Sequence, residues 1–161
     1  GVERILLPWG GGMHARLGLE IAVRIARSTG ATVHLLRVVR AGVNAMQERK
    51  SLDRTVTNVI GENDEVEYLV RESESVTGGI EACLAEGDYD LVIIGASREW
   101  TIRNVLFGSI PDVVADRADC SVLMMRRYVP DTLSVKATEG LKRLKESVGL
   151  TTSPEDDAGR R

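Results

Sequence analysis

Gly95, Gly108 and Ser109 are the residues whose types and spacing could do chemistry together. Gly95 closes the apolar run Leu91-Val92-Ile93-Ile94. Gly108-Ser109 opens a second pattern, Ile110, Val113, Val114 and Ala118, whose spacing puts those side chains on one helical face. A loop of this kind delivers a glycine and a hydroxyl to a helix N-terminus. There, about half a positive elementary charge and several unpaired N–H groups attract anions. The same residue types also serve as ordinary loop and N-cap chemistry. Ser97, Arg98 and Glu99 add polar groups to the loop, but no histidine or cysteine stands with them as base or nucleophile, so an enzyme is not expected. His14, at the start of a predicted helix, reads as a surface cap, and His34 falls inside a predicted strand.

The elements that must position this loop follow from periodicity. Arg4 to Leu7 is a short apolar strand, ended by Pro8, Trp9 and the glycines Gly10 to Gly12. From Met13 to Thr29, Leu17, Ile21 and Ile25 with Ala22 and Ala26 recur as an amphipathic helix requires, and Gly30 supplies the stop. Ala31 to Val39 is a β-rich strand, giving a right-handed parallel β-α-β unit. Ala45 to Ile60 is a partly exposed helix carrying Met46, Leu52, Val56, Val59 and Ile60. Glu65 to Arg71 alternates, with Val66, Tyr68 and Val70 on one face, as in a strand near a sheet edge. Ser75 caps a helix running to Glu86, with Ile80, Cys83 and Leu84 on its buried face. The strand at Leu91, a helix from Ser109 to Ala118 and a strand from Cys120 to Met125 complete the pattern.

Strands alternating with helices predict an α/β fold, a doubly wound five-stranded parallel sheet of order 3-2-1-4-5 with helices on both faces. In that order the Pro8 to Gly12 loop and the Gly95 to Ser109 loop face each other where the strand order reverses, the place at which such sheets bind ligands.

Composition excludes several classes. The chain's 161 residues suit one domain, and 43% hydrophobic with 28% charged residues describes an ordinary globular protein. A formal charge of −3 lacks the basic excess of a nucleic-acid binder. Cys83 and Cys120 have no metal-ligand spacing and read as buried, reduced thiols, which suits the cytoplasm. No apolar run reaches the length of a membrane span. The opening Gly1-Val2 leads us to expect a piece of a longer protein, for which a membrane protein is one candidate. Beyond Arg127, Leu141, Leu144 and Val148 at helical spacing predict a short amphipathic helix over Val135 to Leu150, followed by a disordered TTSPEDDAGRR. We therefore divide the chain into a domain over residues 1–127 and a tail over 128–161.

Three stretches carry a resemblance: ILLPWGGGMHARLGLEIAVRIARSTGATVHLLRVV, YDLVIIGASREW and LFGSIPDVVADRADCSVLMMR. Together they resemble a universal stress protein domain over roughly Val2 to Arg127. That family's nucleotide pattern is glycine, two residues, glycine, nine residues, glycine, then serine or threonine. Gly95 and Gly108-Ser109 occupy its first and last places, while Arg98 replaces the middle glycine. Gly10 stands where ATP-binding members carry an aspartate. The resemblance implies a regulatory, adenine-nucleotide module for ATP, AMP or a related ligand. Its contacts are expected among Pro8, Trp9, Gly10, Val38, Val39, Gly95, Ser97, Arg98, Gly108, Ser109 and Ile110. The two departures leave open a module that binds no nucleotide, with Arg98 either blocking phosphates or clasping them and Trp9 either filling the crevice or lying in the core. More narrowly, PWGGG-x-HA and GASRE with LFGSIP resemble the universal stress domains fused behind the membrane segments of amino-acid permeases, implying a place at the cytoplasmic face of a transporter. Many members also pair their last strand with that of a second copy, which implies a homodimer through residues 121–125. The alternative is that the Val135 to Leu150 helix covers this edge and leaves a monomer.

Overall fold

The computed structural model describes residues 1–95 and 110–128. The chain divides into two units, Gly1–Arg127 and Tyr128–Arg161. The predicted helix at 135–150 and the polar end lie outside the described residues.

Its elements are β1 (Arg4–Pro8), α1 (Gly12–Thr29), β2 (Thr32–Val39), α2 (Ala45–Ile60), β3 (Val66–Glu72), α3 (Val76–Glu86), β4 (Leu91–Gly95), α4 (Ile110–Arg117) and β5 (Ser121–Met125). The five strands form one sheet in the order β3-β2-β1-β4-β5, and every pairing is parallel. The predicted topology is the observed one.

Alternation along the strands builds two cores. Ile5, Leu7, Val33, Leu35 and Ile93 face α1 and α2, with Leu52 and Val56 of α2 buried against them. Leu6, Leu36, Val92 and Ile94 face α3 and α4, packing on Ile80, Cys83, Ile110 and Val114. β4 is thus buried on both faces, as its continuous apolar run requires.

Local chemistry fixes the boundaries. Gly30 ends α1 in the left-handed conformation, its N–H bonded to the Ala26 carbonyl. Asn44 caps α2 by accepting from the N–H groups of Met46 and Gln47, and the Ser75 hydroxyl accepts from the Gly78 N–H at the start of α3. The buried face of α1 differs from the predicted one. It consists of Ala15, Gly18, Leu19, Ala22, Val23 and Ala26, while Leu17, Ile21 and Ile25 are half-buried flanks. The reason is close approach. A Cβ on Gly18 would lie 3.3 Å from the Leu7 side chain, so the contact with the sheet combines small residues with Leu19 and Val23.

At the amino ends of the strands, Asp90 joins three of them. Its carboxylate accepts from the N–H groups of Glu3 and Arg4 at 2.8 and 3.0 Å. Its backbone N–H donates to the Arg4 carbonyl, and its carbonyl accepts from Ser121 N–H. The two sheet edges differ in chemistry. Residues 62–74, which contain β3, carry Glu62, Asp64, Glu65, Glu67, Glu72 and Glu74 against the single base Arg71, whereas β5 has no charged residue and leaves Met124 54% exposed.

Candidate functional site

β1 and β4 are neighbours, with Ile5 opposite Leu91 and Leu6 opposite Val92, yet the chain leaves β1 towards β2 and leaves β4 towards β5. The strand order therefore reverses between them, and this reversal is where sheets of this kind place a ligand crevice. Pro8, with Trp9 and Gly10 after it, ends the β1 side of the reversal, and Gly95 ends the β4 side.

The first side is held rigidly. Trp9 is 8% exposed and belongs to the core under α1 and α2. Its backbone N–H donates to the Leu36 carbonyl at 2.8 Å, and its own carbonyl accepts from Arg37 Nη1 at 3.2 Å. Arg37 Nε in turn donates to Glu48 Oε1 in the first turn of α2 at 3.0 Å. One guanidinium thus ties the end of β1 to the start of α2. Gly11 and Gly12 both have φ of 78°, a region that side-chain-bearing residues avoid, so this tight entry to α1 needs glycine at both places. Gly10 is exposed and does not share the positive φ.

The second side meets the first through backbone. A Cβ on Gly95 would lie 2.8 Å from Ala15 N and 2.8 Å from the His14 carbonyl carbon, so the end of β4 sits directly on the first turn of α1. Beside it, His14 Nδ1 accepts from the Arg127 N–H at 2.9 Å, which requires that nitrogen to carry no proton. His14 is therefore not the cap of α1 that its position predicts. The N-cap is Gly11, without a side-chain hydrogen bond, and His14 instead fastens the segment leaving β5.

The remaining predicted contacts separate by face. Val38 packs against α3, where a Cβ on Gly79 would be 2.7 Å from either of its γ carbons. Val39 offers its carbonyl to the Ser73 N–H at 2.9 Å. Pro8 is half-buried, and Ile110, the first residue of α4, is 8% exposed in the core. Ser97, Arg98, Gly108 and Ser109 lie outside the described residues. Arg37 and the His14 link to Arg127 escaped the sequence reading. An arginine near the end of a predicted central strand is a signal for the first, but nothing local connects residues 113 apart.

A concave surface of about 700 Å³ opens elsewhere, lined by Asp53, Arg54, Thr57, Asn58, Glu62, Asn63 and Asp64. It lies near the amino end of β3, away from the reversal, and its lining is mostly polar, unlike the apolar walls that enclose a small ligand. Among the described residues, no three or more His, Cys, Asp and Glu side chains converge as a metal site would need.

The model of the universal stress protein family matches residues 1–126. The chain belongs to the universal stress protein family. Solved structures agree on the fold of this universal stress protein domain. A universal stress protein in complex with cAMP superposes with a TM-score of 0.63 at 16% identity, covering 79% of this chain and 98% of the other. One from Archaeoglobus fulgidus in complex with dAMP gives 0.57 at 17% identity, covering 78% and 98%. One from Arabidopsis thaliana with AMP bound gives 0.54 at 12% identity, covering 81% and 95%. A search of the curated proteins finds no match.

Proposed function

We propose that this universal stress protein domain is a regulatory module that takes an adenine nucleotide between the ends of β1 and β4. The observation that carries the reading is the strand-order reversal between β1 and β4, with the positive-φ Gly11-Gly12 turn after one strand and Gly95 at the end of the other. Three structures of the same fold hold cAMP, dAMP or AMP, which supports the ligand class. In this reading the Gly108-Ser109 end of the loop receives phosphate at the start of α4, the Pro8 to Gly10 side receives the nucleoside, and Arg98 stands at the rim. Calorimetric titration with ATP, AMP and cyclic dinucleotides tests it. Saturable binding lost on Gly108→Val supports the placement, because the backbone could no longer approach the phosphate. Binding that survives this substitution, or no binding to any of the three, defeats it.

A second reading, a dimerisation module that binds no nucleotide, is favoured by Gly10 and Arg98 together with the uncharged, partly exposed β5 edge. The two are separated by the same titration. The finer reading, that the module regulates a membrane transporter, rests on the resemblance of PWGGG-x-HA and GASRE with LFGSIP to the domains fused to amino-acid permeases. It predicts that the native protein sediments with membranes.

A further inference from the structure

On the α3 face, towards the amino ends of the strands and apart from the crevice, four titratable side chains form a line across four segments. Glu67 lies on β3, His34 on β2, Tyr89 in the turn before β4 and Cys83 on α3. His34 Nε2 is 3.5 Å from Glu67 Oε2, His34 Nδ1 is 2.9 Å from the Tyr89 hydroxyl, and that hydroxyl is 3.6 Å from Cys83 Sγ. The two rings meet edge to face at 5.4 Å. Cys83 is 5% exposed, so its thiol finds its polar partner inside the fold.

A phenol is both donor and acceptor, and imidazole Nδ1 is one or the other according to its proton. We infer that Glu67, His34, Tyr89 and Cys83 form a two-state relay, in which the proton on His34 sets the direction of the hydrogen bonds that reach Cys83. With His34 neutral, Nε2–H faces Glu67, Tyr89 donates to Nδ1, and the Cys83 thiol donates to the Tyr89 oxygen. When His34 takes a proton from solvent, Nδ1–H donates to Tyr89, and Tyr89 turns its own hydrogen onto Cys83 sulfur. No covalent bond other than the new N–H changes. The charged groups facing His34 are Glu67, which favours the proton, and Arg4 of β1, which opposes it. Arg71 and Glu86, paired with each other, stand beside Tyr89 and complete the surroundings. Burial is the largest influence and lowers the pKa of His34, so the neutral arrangement prevails at neutral pH. The device places a buried thiol under the control of an imidazole that it does not touch.

The chain has two histidines and two cysteines, so Cys120→Ala leaves Cys83 as the single thiol. Its S–H stretching band is then followed by infrared spectroscopy from pH 8 to pH 5 while the His34 ring nitrogens are followed by ¹⁵N NMR. The expected result is an Nδ1 without a proton at neutral pH. The S–H band should move towards that of an unbonded thiol with the same midpoint as His34. Tyr89→Phe, which keeps the ring, should abolish the movement. Should that variant fail to fold, His34→Gln should abolish it equally by removing the titrating group. A band that stays fixed while His34 titrates, a band that still moves in the folded variants, or an Nδ1 protonated at neutral pH would each overturn the relay.

Discussion

Gly95 shows how one residue can be legible in sequence for a reason that differs from its role in the fold. Its place after a buried strand marks it as a phosphate-loop glycine, while the structure shows backbone of α1 less than 3 Å from where its Cβ would stand. Gly95→Ala should therefore destabilise the domain by about 1–3 kcal/mol through overpacking, read as a drop in Tm, whether or not nucleotide is present. Gly10 is the opposite case. It is exposed and free of positive φ, so Gly10→Asp should fold as the parent does. Under the proposed function it should also tighten ATP binding by about 1.5–3 kcal/mol in calorimetry, the value of a hydrogen bond to a charged group. Unchanged affinity would show that the missing carboxylate does not limit binding. Trp9 belongs to the core because the alternation that buries Ile5 and Leu7 continues through it. His14 was misread because its partner, the Arg127 N–H, comes from the far end of the domain.

The elements were the most legible part of the chain, since caps and periodicity act within a few residues of one another. Ser75, Gly30 and the continuous run of β4 carry their meaning locally. What periodicity could not supply was the exact buried face of α1, because two apolar stripes run along the helix, and the close approach at Gly18 sets the one with Leu19 and Val23 against the sheet. Strand-to-strand polar links were equally hidden. Asp90 holds the starts of β1, β4 and β5, and the N–H donors of Glu3 and Arg4 depress its carboxyl pKa below the ordinary 3.8. A depressed carboxylate contributes stability above its unfolded value and loses it as pH falls through the folded one, so this contribution should fade below about pH 4. Asp90→Asn should lower Tm at pH 7 and flatten that acid limb in thermal melts. His34 acts in the window above. Its pKa is lowered from 6.5 by burial, so the unfolded chain takes up the proton first and stability should fall as pH drops below 6.5 towards the folded value. His34→Gln should remove this slope from a series of melts between pH 7.5 and 5.

At the scale of the whole molecule, the sheet ends in two edge strands, β3 and β5, and they are not alike. The proposed homodimer uses β5, and its test follows from Met124, which is 54% exposed and therefore open to change without disturbing the core. Met124→Glu should convert a particle of twice 17.6 kDa into a monomer in light scattering, with Tm little altered. A parent chain that stays at 17.6 kDa at high concentration would exclude the pairing. The contrast between the edges bears on growth as well as on pairing. A parallel sheet whose β5 edge joined the β3 edge of the next copy would make a head-to-tail contact, and such contacts extend without closing unless a rotation happens to complete a ring. Joining them would strip water from Glu72, and from Glu62, Asp64 and Glu74 beside it, while β5 itself is uncharged and the cations nearest to it in sequence are Arg126 and Arg127 just past its end. Two β5 edges related by a two-fold axis use each other up and leave only acidic edges outward. In the proposed dimer, the acidity of the outward edges would favour a closed pair over an open fibre.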